Sequence, residues 1–486
     1  MEKKDLKPAG VFKYFEEICQ VPRPSKKEEK MIAYLKAFGA KHNLETKVDE
    51  AGNVLIKKPA TPGKENLQTV VLQSHIDMVC EKNNDVQHDF LTDPIETEID
   101  GEWLKAKGTT LGADNGIGVA TELAILADDS IEHGPLECLF TVDEETGLTG
   151  AFALKEGFMS GDILLNLDSE DEGEIFIGCA GGIDSVAEFT YKEVEVPAGY
   201  FFFKVEVKGL KGGHSGGDIH LGRGNANKIL NRFLSRMANR QDLYLCEING
   251  GNLRNAIPRE AYAICAVPED AKHDVRTELN IFTSEVENEL SVTEPDLKLV
   301  LESETPRKTA IDQDTTARLL KALYAAPHGV YAMSQDIPGL VETSTNLASV
   351  KMKPNHIIRI ETSQRSSILS ARNDMANTVR AVFQLAGANV TFGEGYPGWK
   401  PNPHSAILEV AVESYKRLFG VDAKVKAIHA GLECGLFLDK YPTLDMISFG
   451  PTLRSPHSPD ERCYIPSVAK FYDFVVATLG NTPVKE

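Results

Sequence analysis

The hydrophobic positions of this chain change their spacing along its length, and the changes divide it. Near the start, Val11, Phe12, Tyr14, Phe15 and Ile18 recur at the spacing of one helix face, and Met31, Ile32, Leu35 and Phe38 repeat the pattern. Between them, Ser25-Lys-Lys-Glu28 has the form of a capping box and predicts Ser25 as the cap of the second helix. Residues 46–56, with Glu50-Ala-Gly-Asn at their centre, read as a hairpin. Thr69-Val-Val-Leu-Gln-Ser-His-Ile-Asp77 is a continuous apolar run ending in polar residues, the pattern of a strand buried on both faces. Strands and helices then alternate: a helix over 115–127, a strand over 136–142, a helix over 148–155 and a strand over 163–168. Strands joined by helical crossovers pair in a largely parallel sheet, and such sheets present ligands at the carboxyl ends of their strands.

After residue 187 the texture shifts. Phe201-Phe-Phe-Lys-Val-Glu-Val207 alternates as a strand, and helices over 225–239, 274–290, 315–324 and 373–385 are interleaved with strands near Leu243, Ala261, Leu297, 343–350 and 357–361. Gly393-Glu-Gly-Tyr-Pro-Gly-Trp399 reads as an exit hinge. Beyond it, a helix over 405–418, strands near Lys424 and Met446 and a closing helix over 468–479 restore the first texture. The expected architecture is therefore an α/β domain with a largely parallel sheet, built from residues 1–186 and 399–486 and interrupted by an inserted α+β domain over 187–398.

Charge narrows the function. Among 486 residues, 52 Lys and Arg face 72 Asp and Glu, a formal net charge of −20. Nucleic acid and anionic membrane surfaces are recognised through Lys and Arg clusters, so neither is an expected partner. The eight cysteines are scattered singly, without a CxxC pair, and read as reduced thiols. The segment after Met1 lacks the apolar run of a signal peptide, and no stretch approaches the roughly 18 apolar residues of a membrane helix, so a cytoplasmic location is expected.

Five short segments carry candidate chemistry. In the strand ending His75-Ile-Asp77, side chains two apart share a face, so an imidazole and a carboxylate project together, the carboxylate able to fix the imidazole's tautomer beside a metal. An ordinary polar strand end has the same form. Gly108-Thr-Thr-Leu-Gly-Ala-Asp114-Asn-Gly-Ile-Gly118 is a glycine loop entering a helix. It lacks both phosphate-loop spacings, and Asp114 is either a helix cap or a ligand. Phe140-Thr-Val-Asp-Glu144-Glu145 drives an apolar strand into three acids, whose repulsion is relieved either by solvent or by a cation. Asp162-Ile-Leu-Leu-Asn-Leu-Asp168 repeats the strand-then-acid form, and His457 stands in the proline-rich loop 451–459. Taken in order, two histidines and three carboxylates at strand ends make a donor set for two Zn²⁺-like ions, one carboxylate bridging.

The motifs SHIDMVC, TTLGADNGIG, TVDEETGLTGA, NLDSED, GGHSGGDIH and SPHSPDER, in that order over nearly the whole chain, resemble the M20 di-zinc metallopeptidases and, within them, the aminoacyl-histidine dipeptidase branch. The resemblance implies two divalent metal ions, Zn²⁺ foremost, with His75 and Asp168 on one, Glu145 and His457 on the other and Asp114 bridging. It makes Asp77 an orienting carboxylate and Glu144 the general base that activates the water between the ions and later protonates the leaving amine. It also implies a cis bond between Asp114 and Asn115. The inserted domain would be the family's lid, which in some members carries dimer contacts, so a homodimer is expected. Within it, His214 resembles the histidine that stabilises the developing oxyanion, with His220 as the nearby alternative. Asn255 and Arg365 resemble residues that hold the substrate, Arg365 at its free carboxylate, although a surface salt bridge would also account for an arginine. The backbone of Gly431 and Glu433, in Ala430-Gly-Leu-Glu-Cys-Gly435, would cradle the substrate's C-terminal end.

The implied activity is hydrolysis of dipeptides, Xaa-His dipeptides such as β-alanyl-histidine among them. An N-acyl amino acid deacylase or a carboxypeptidase-like enzyme shares the same metal constellation, and an inert peptide-binding protein is the alternative from another class. An intact Glu144 argues against the last.

Overall fold

The computed structural model describes residues 3–485, which separate into two compact units. The first comprises residues 1–179, 399–427 and 432–486; the second comprises 180–398 and 428–431. No helix among the described residues is long and apolar enough to cross a membrane.

The first unit is built on an eight-stranded sheet in the order Glu45–Val48, Val54–Lys58, Leu136–Thr141, Val70–His75, Ile163–Asn166, Asp445–Ser448, Glu174–Cys179, Lys424–Ile428. Its middle is parallel: Val70–His75 pairs in parallel with both Leu136–Thr141 and Ile163–Asn166, and Ile163–Asn166 with Asp445–Ser448. Outside it, Val54–Lys58 pairs antiparallel with both Glu45–Val48 and Leu136–Thr141, and Asp445–Ser448 antiparallel with Glu174–Cys179. All six residues of Val70–His75 and all six of Leu136–Thr141 are buried, which is why these segments read as unbroken apolar runs. The turn of the 46–56 hairpin is held by Asp49, whose Oδ1 accepts the N–H groups of Ala51, Gly52 and Asn53, each at 2.9 Å. A separate four-stranded sheet joins Leu453–Arg454, Arg462–Tyr464, Trp103–Ala106 and Thr97–Asp100.

The second unit is an antiparallel sheet in the order Lys298–Ser303, Tyr200–Lys208, Ala261–Pro268, Tyr244–Gly250, Val341–Lys353, Ile357–Ser366, Gly181–Thr190, Asn389–Phe392. Gly329–Met333 pairs with Val341–Lys353 beside this path. The sheet shares one apolar cluster with helices Ala226–Ala238, Lys272–Leu290, Gln313–Ala325 and Leu369–Leu385, through Phe203, Phe233, Phe282, Leu319 and Phe383 among others.

Two local expectations are corrected. The Ser25 capping box does not form: the helix runs Glu29–Lys41, Ser25 Oγ donates to Asp77 Oδ2 at 2.7 Å, and Glu28 Oε1 accepts the N–H of Lys26 and of Asp143. A buried carboxylate needs donors more than an exposed helix end does. The helix over 148–155 is cut to Thr149–Ala153 and preceded by a single turn, Glu144–Gly147, because Asp143 and Leu148 both take left-handed backbone angles, φ 51 and 54. All eight cysteines are free thiols.

Candidate functional site

Strand ends of the first unit deliver most of the sequence-derived residues to one place. His75 closes the central strand and Asp77 follows it. Asp168 lies two residues past Ile163–Asn166, and Glu144 and Glu145 open the single turn after Leu136–Thr141. Asp114 enters from the start of helix Ala113–Ala127, and the peptide bond that follows it is cis, as the resemblance implied. His457 arrives from the small sheet, on the loop between Leu453–Arg454 and Arg462–Tyr464, with a positive φ of 61.

Asp114 is shared between two histidines. Its Oδ1 lies 3.1 Å from His75 Nε2, and its Oδ2 lies 3.2 Å from His457 Nε2. On the first side, Asp168 Oδ1 is 3.4 Å from His75 Nε2; on the second, Glu145 Oε2 is 3.0 Å from His457 Nε2. Ligand atoms of His75, Asp114 and Glu145 all lie within 4.8 Å of one another. Asp77 supports the group from behind. Its Oδ1 stands 3.4 Å from His75 Nδ1 and accepts the Glu144 N–H at 3.0 Å, while its Oδ2 accepts the Ser25 hydroxyl and the Glu145 N–H. One carboxylate thus fixes both the imidazole and the turn that carries the paired glutamates.

Crowding sets the charges. Burial holds Glu144 well above the usual carboxylate range, with His75 opposing and Asp168, Glu433 and Glu145 adding to the effect. Burial likewise pushes Asp168 up to about 6, against the pull of His75. Burial would raise Asp114 too, but hydrogen bonds to His457 and His75 hold it below the usual range. His457 is pushed up to about 11 by Asp114 and Glu145. For His75, burial opposes protonation, yet Asp168, Asp114 and Asp77 outweigh it and raise its pKa. Among the described residues, the buried Glu145 Oε1 has no hydrogen-bond partner, and Asp168 Oδ1 has only the His75 imidazole at 3.4 Å. An orphaned acid oxygen beside two imidazoles is the donor chemistry of a cation site.

The chain matches peptidase family M20/M25/M40 over residues 71–481. It belongs to that family. It is 46% identical over 484 residues, 100% of both chains, to the cytosol non-specific dipeptidase of Escherichia coli (strain K12). The crystal structure of aminoacylhistidine dipeptidase from Vibrio alginolyticus superposes with a TM-score of 0.94 at 46% identity, covering 100% of this chain and 99% of that one. Aminopeptidase PepT from Bacillus cereus, at 16% identity, shares the fold with a TM-score of 0.61 over 98% of this chain and 99% of its own.

The remaining candidates of this M20 peptidase lie mostly in the second unit. His214 and Asn255 are neighbours: Gly213–His214 pairs with Ala256–Ile257, and the Ser215 N–H donates to Asn255 O at 2.8 Å. His214 Nδ1 accepts the N–H groups of Gly216 and Gly217, at 3.2 and 3.0 Å, which leaves the proton of the neutral ring on Nε2. Burial and the nearby Arg365 lower its pKa. Arg365 is 7% exposed, yet its guanidinium is held by neutral groups, donating to Tyr396 Oη at 2.8 Å and Ser215 Oγ at 3.4 Å. Among the described residues no carboxylate pairs with it. Gly431 packs against the Tyr396 ring, where a Cβ would come within 2.9 Å of Cε2. Glu433, in the first unit, turns its side chain into the sheet: Oε2 accepts from Gln73 Nε2 at 2.7 Å and from Thr141 Oγ1 at 2.9 Å. Burial pushes its pKa up to about 7.

Sequence reasoning passed over four further residues. Glu170, two positions past Asp168, is pushed up to about 8 by burial and by Asp114 and Asp168. Arg23 is buried and donates to the carbonyls of Ile76, Asp77 and Gly112. Glu461 accepts four backbone N–H groups at residues 111–114. Tyr396 holds Arg365 from within the segment read as a hinge. Glu461 stood inside the SPHSPDER motif, the one signal that marked it.

Proposed function

We propose that the chain is a metal-dependent dipeptidase of broad specificity that accepts Xaa-His dipeptides, β-alanyl-histidine included. The observation that carries this reading is the division of Asp114 between His75 with Asp168 on one side and His457 with Glu145 on the other. Full-length identity of 46% to a relative named as a cytosol non-specific dipeptidase supports the substrate class and a cytosolic location.

In this reading two divalent cations, Zn²⁺ foremost with Mn²⁺ and Co²⁺ fitting similar donors, would be held by His75, Asp168, His457, Glu145 and a shared Asp114. The donor set fits: buried carboxylates outnumber the two imidazoles, and a cation there would give a partner to Glu145 Oε1, which has none among the described residues. When bound, the ions polarise the scissile carbonyl and lower the pKa of water.

The proton work falls to the chain. Glu144 takes a proton from the attacking water and delivers it to the leaving amine nitrogen, a task suited to a carboxyl whose hold on a proton burial has strengthened. Asp77 keeps His75 in one tautomer and holds the turn that presents Glu144. His214 offers its Nε2 proton to the developing oxyanion. Arg365 binds the substrate's free carboxylate, Asn255 holds the substrate's polar groups, and the backbone of Gly431 and Glu433 cradles its C-terminal end. The second unit acts as a lid, and a homodimer through it is part of the same reading, supported by the exposed Val330, Tyr331 and Met333 of Gly329–Met333 and checked by sedimentation.

The test is hydrolysis of β-alanyl-histidine, other dipeptides, tripeptides and N-acetyl amino acids by chelated protein before and after Zn²⁺ is added. Metal-restored cleavage of dipeptides is the expected result. Cleavage confined to N-acetyl amino acids would make the chain a deacylase, and silence on every substrate would make it a binding protein.

A further inference from the structure

Asp114 and His457 stand 343 positions apart in sequence and must meet at one place. Neither is fixed there by its own element. The first N–H groups of a helix have no partners within it, so the segment leading into Ala113–Ala127 needs an external acceptor. Glu461 supplies it. The side chain is 2% exposed; its Oε2 accepts the N–H groups of Leu111 and Gly112 at 2.7 and 2.9 Å, and its Oε1 those of Ala113 and Asp114 at 2.8 and 3.2 Å. All four acceptor directions of one carboxylate are spent on four consecutive amides.

Glu461 is also four residues from His457, inside the same tight loop. Its own N–H donates to Ser458 O at 3.0 Å, and Ser458 Oγ donates to Ser455 O at 3.0 Å. The carboxylate therefore pins the histidine's loop to the aspartate's segment. Arg23 grips the other edge of that segment. It donates to Gly112 O at 2.6 Å and to Ile76 O and Asp77 O at 3.2 and 3.1 Å, so the strand end behind His75 is tied to the same peptide group. Gly112 fits between them because it has a φ of 68 and no Cβ, which would lie 2.5 Å from Arg23 Nη2.

We propose that Glu461 is a positioning residue that sets where His457 stands relative to Asp114, and so fixes the affinity of the cation site that His457 shares with Glu145 and Asp114. This rests on the two-cation reading given above. A carboxylate serving only as a helix cap would lend stability to Ala113–Ala127 and leave cation affinity alone. A positioning carboxylate changes cation affinity most at the site of His457, whose loop it holds, and less at the site of His75 and Asp168, which shares Asp114 but is also held from the Arg23 side.

The experiment is a Zn²⁺ titration by calorimetry of the full-length chain and of Glu461→Gln, in which an amide replaces one oxygen and turns an NH₂ toward two N–H donors. The parent is expected to bind two ions. Glu461→Gln is expected to weaken one ion by about 10- to 100-fold, the usual cost of losing an outer support at a metal site, and the other by clearly less. Loading with Co²⁺ gives an independent readout: the visible absorption of one site persists while that of the other needs proportionately more metal. If Glu461→Gln fails to fold, Glu461→Asp, which keeps the charge and shortens the reach, enters the same titration with the same expectation. Two ions bound at parental affinities by either folded variant would overturn the assignment. A parent chain that binds no divalent cation would sink the two-cation reading itself, a result distinguishable from the failure of Glu461 alone.

Discussion

The first unit gathers carboxylates where the second buries one guanidinium, Arg365, among histidines of lowered basicity. Around Asp114, acids outnumber imidazoles, and the strain appears as raised pKa values at Glu144, Asp168 and Glu170. Among the described residues no acid pairs with Arg365, and the histidines lose basicity instead: burial, with the guanidinium adding, pushes His429 down to about 3 and lowers His214. A fold tolerates a buried charge only when something of opposite sign completes it. The two clusters thus call for opposite ligands, divalent cations in one and a carboxylate in the other. A peptide's free C-terminus is such a carboxylate, and an acyl amino acid also has one, so under the proposed function the contrast would fit either substrate class and would not choose between them.

Removing the cations from the acidic cluster should have the largest effect. Chelation is expected to abolish dipeptide hydrolysis, with recovery on adding Zn²⁺; activity that survives exhaustive chelation would detach the acids from the chemistry. Next comes Glu144→Gln. General acid–base groups contribute about 10²- to 10⁴-fold, so kcat should fall by that order while metal content, read by elemental analysis, stays at the parental value.

The guanidinium site should respond through KM. Hydrogen bonds to charged groups are worth about 1.5–3 kcal/mol, so Arg365→Met is expected to raise KM for dipeptides by roughly 10- to 100-fold and to leave dipeptide amides, which lack the carboxylate, unaffected. Equal losses on amides and acids would remove Arg365 from carboxylate binding. Tyr396→Phe deletes one neutral hydroxyl beside the guanidinium, and a rise in KM of about fivefold is expected, in line with about 1 kcal/mol for such a bond.

The smallest effects concern stability, and they should carry opposite signs in the two units. Glu122, fully buried beside Ser74, has a folded-state pKa raised well above 4.5 by burial. Its folded form holds a proton that the unfolded form has released, so stability is lost as pH rises above 4.5, and Glu122→Gln should flatten that loss. His429, lowered from 6.5 to about 3, is neutral when folded and charged when unfolded, so its contribution is complete above pH 6.5 and fades as pH falls toward 3. His429→Gln should therefore flatten the acid limb instead. Thermal melts of both variants between pH 4 and 9 make the comparison, and parallel profiles would refute it.

The sequence exposed whatever depended on local pattern. The central parallel strands were legible because burial on both faces leaves an unbroken apolar run, and the acids that end them stood out against it. His457 was legible as a residue but not as a position, since it comes from a second small sheet whose strands, such as Leu453–Arg454, are too short to leave a periodic trace. Ser25 misled because a hydroxyl three residues before a glutamate signals a cap, whereas its partner here is Asp77, 52 positions away. Glu461, Arg23 and Tyr396 were illegible for a related reason: the partners of the first two are backbone groups far along the chain, that of Tyr396 is the Arg365 guanidinium 31 positions away, and no spacing rule links a carboxylate to amides 347 to 350 residues distant.

Cys179 and Trp399 exchange both backbone hydrogen bonds, each at 2.9 Å, where the chain leaves the first unit for its long excursion over 180–398 and where it returns. The ends of the excursion therefore sit a strand's width apart, as at the mouth of a hairpin, and the first unit is interrupted there without being pried open. Such a junction is a socket. A turn of a few residues would close it, and a different insert whose termini lie equally close would fit it, so a lineage can exchange what it carries over 180–398 while every strand end that presents an acid stays where it is.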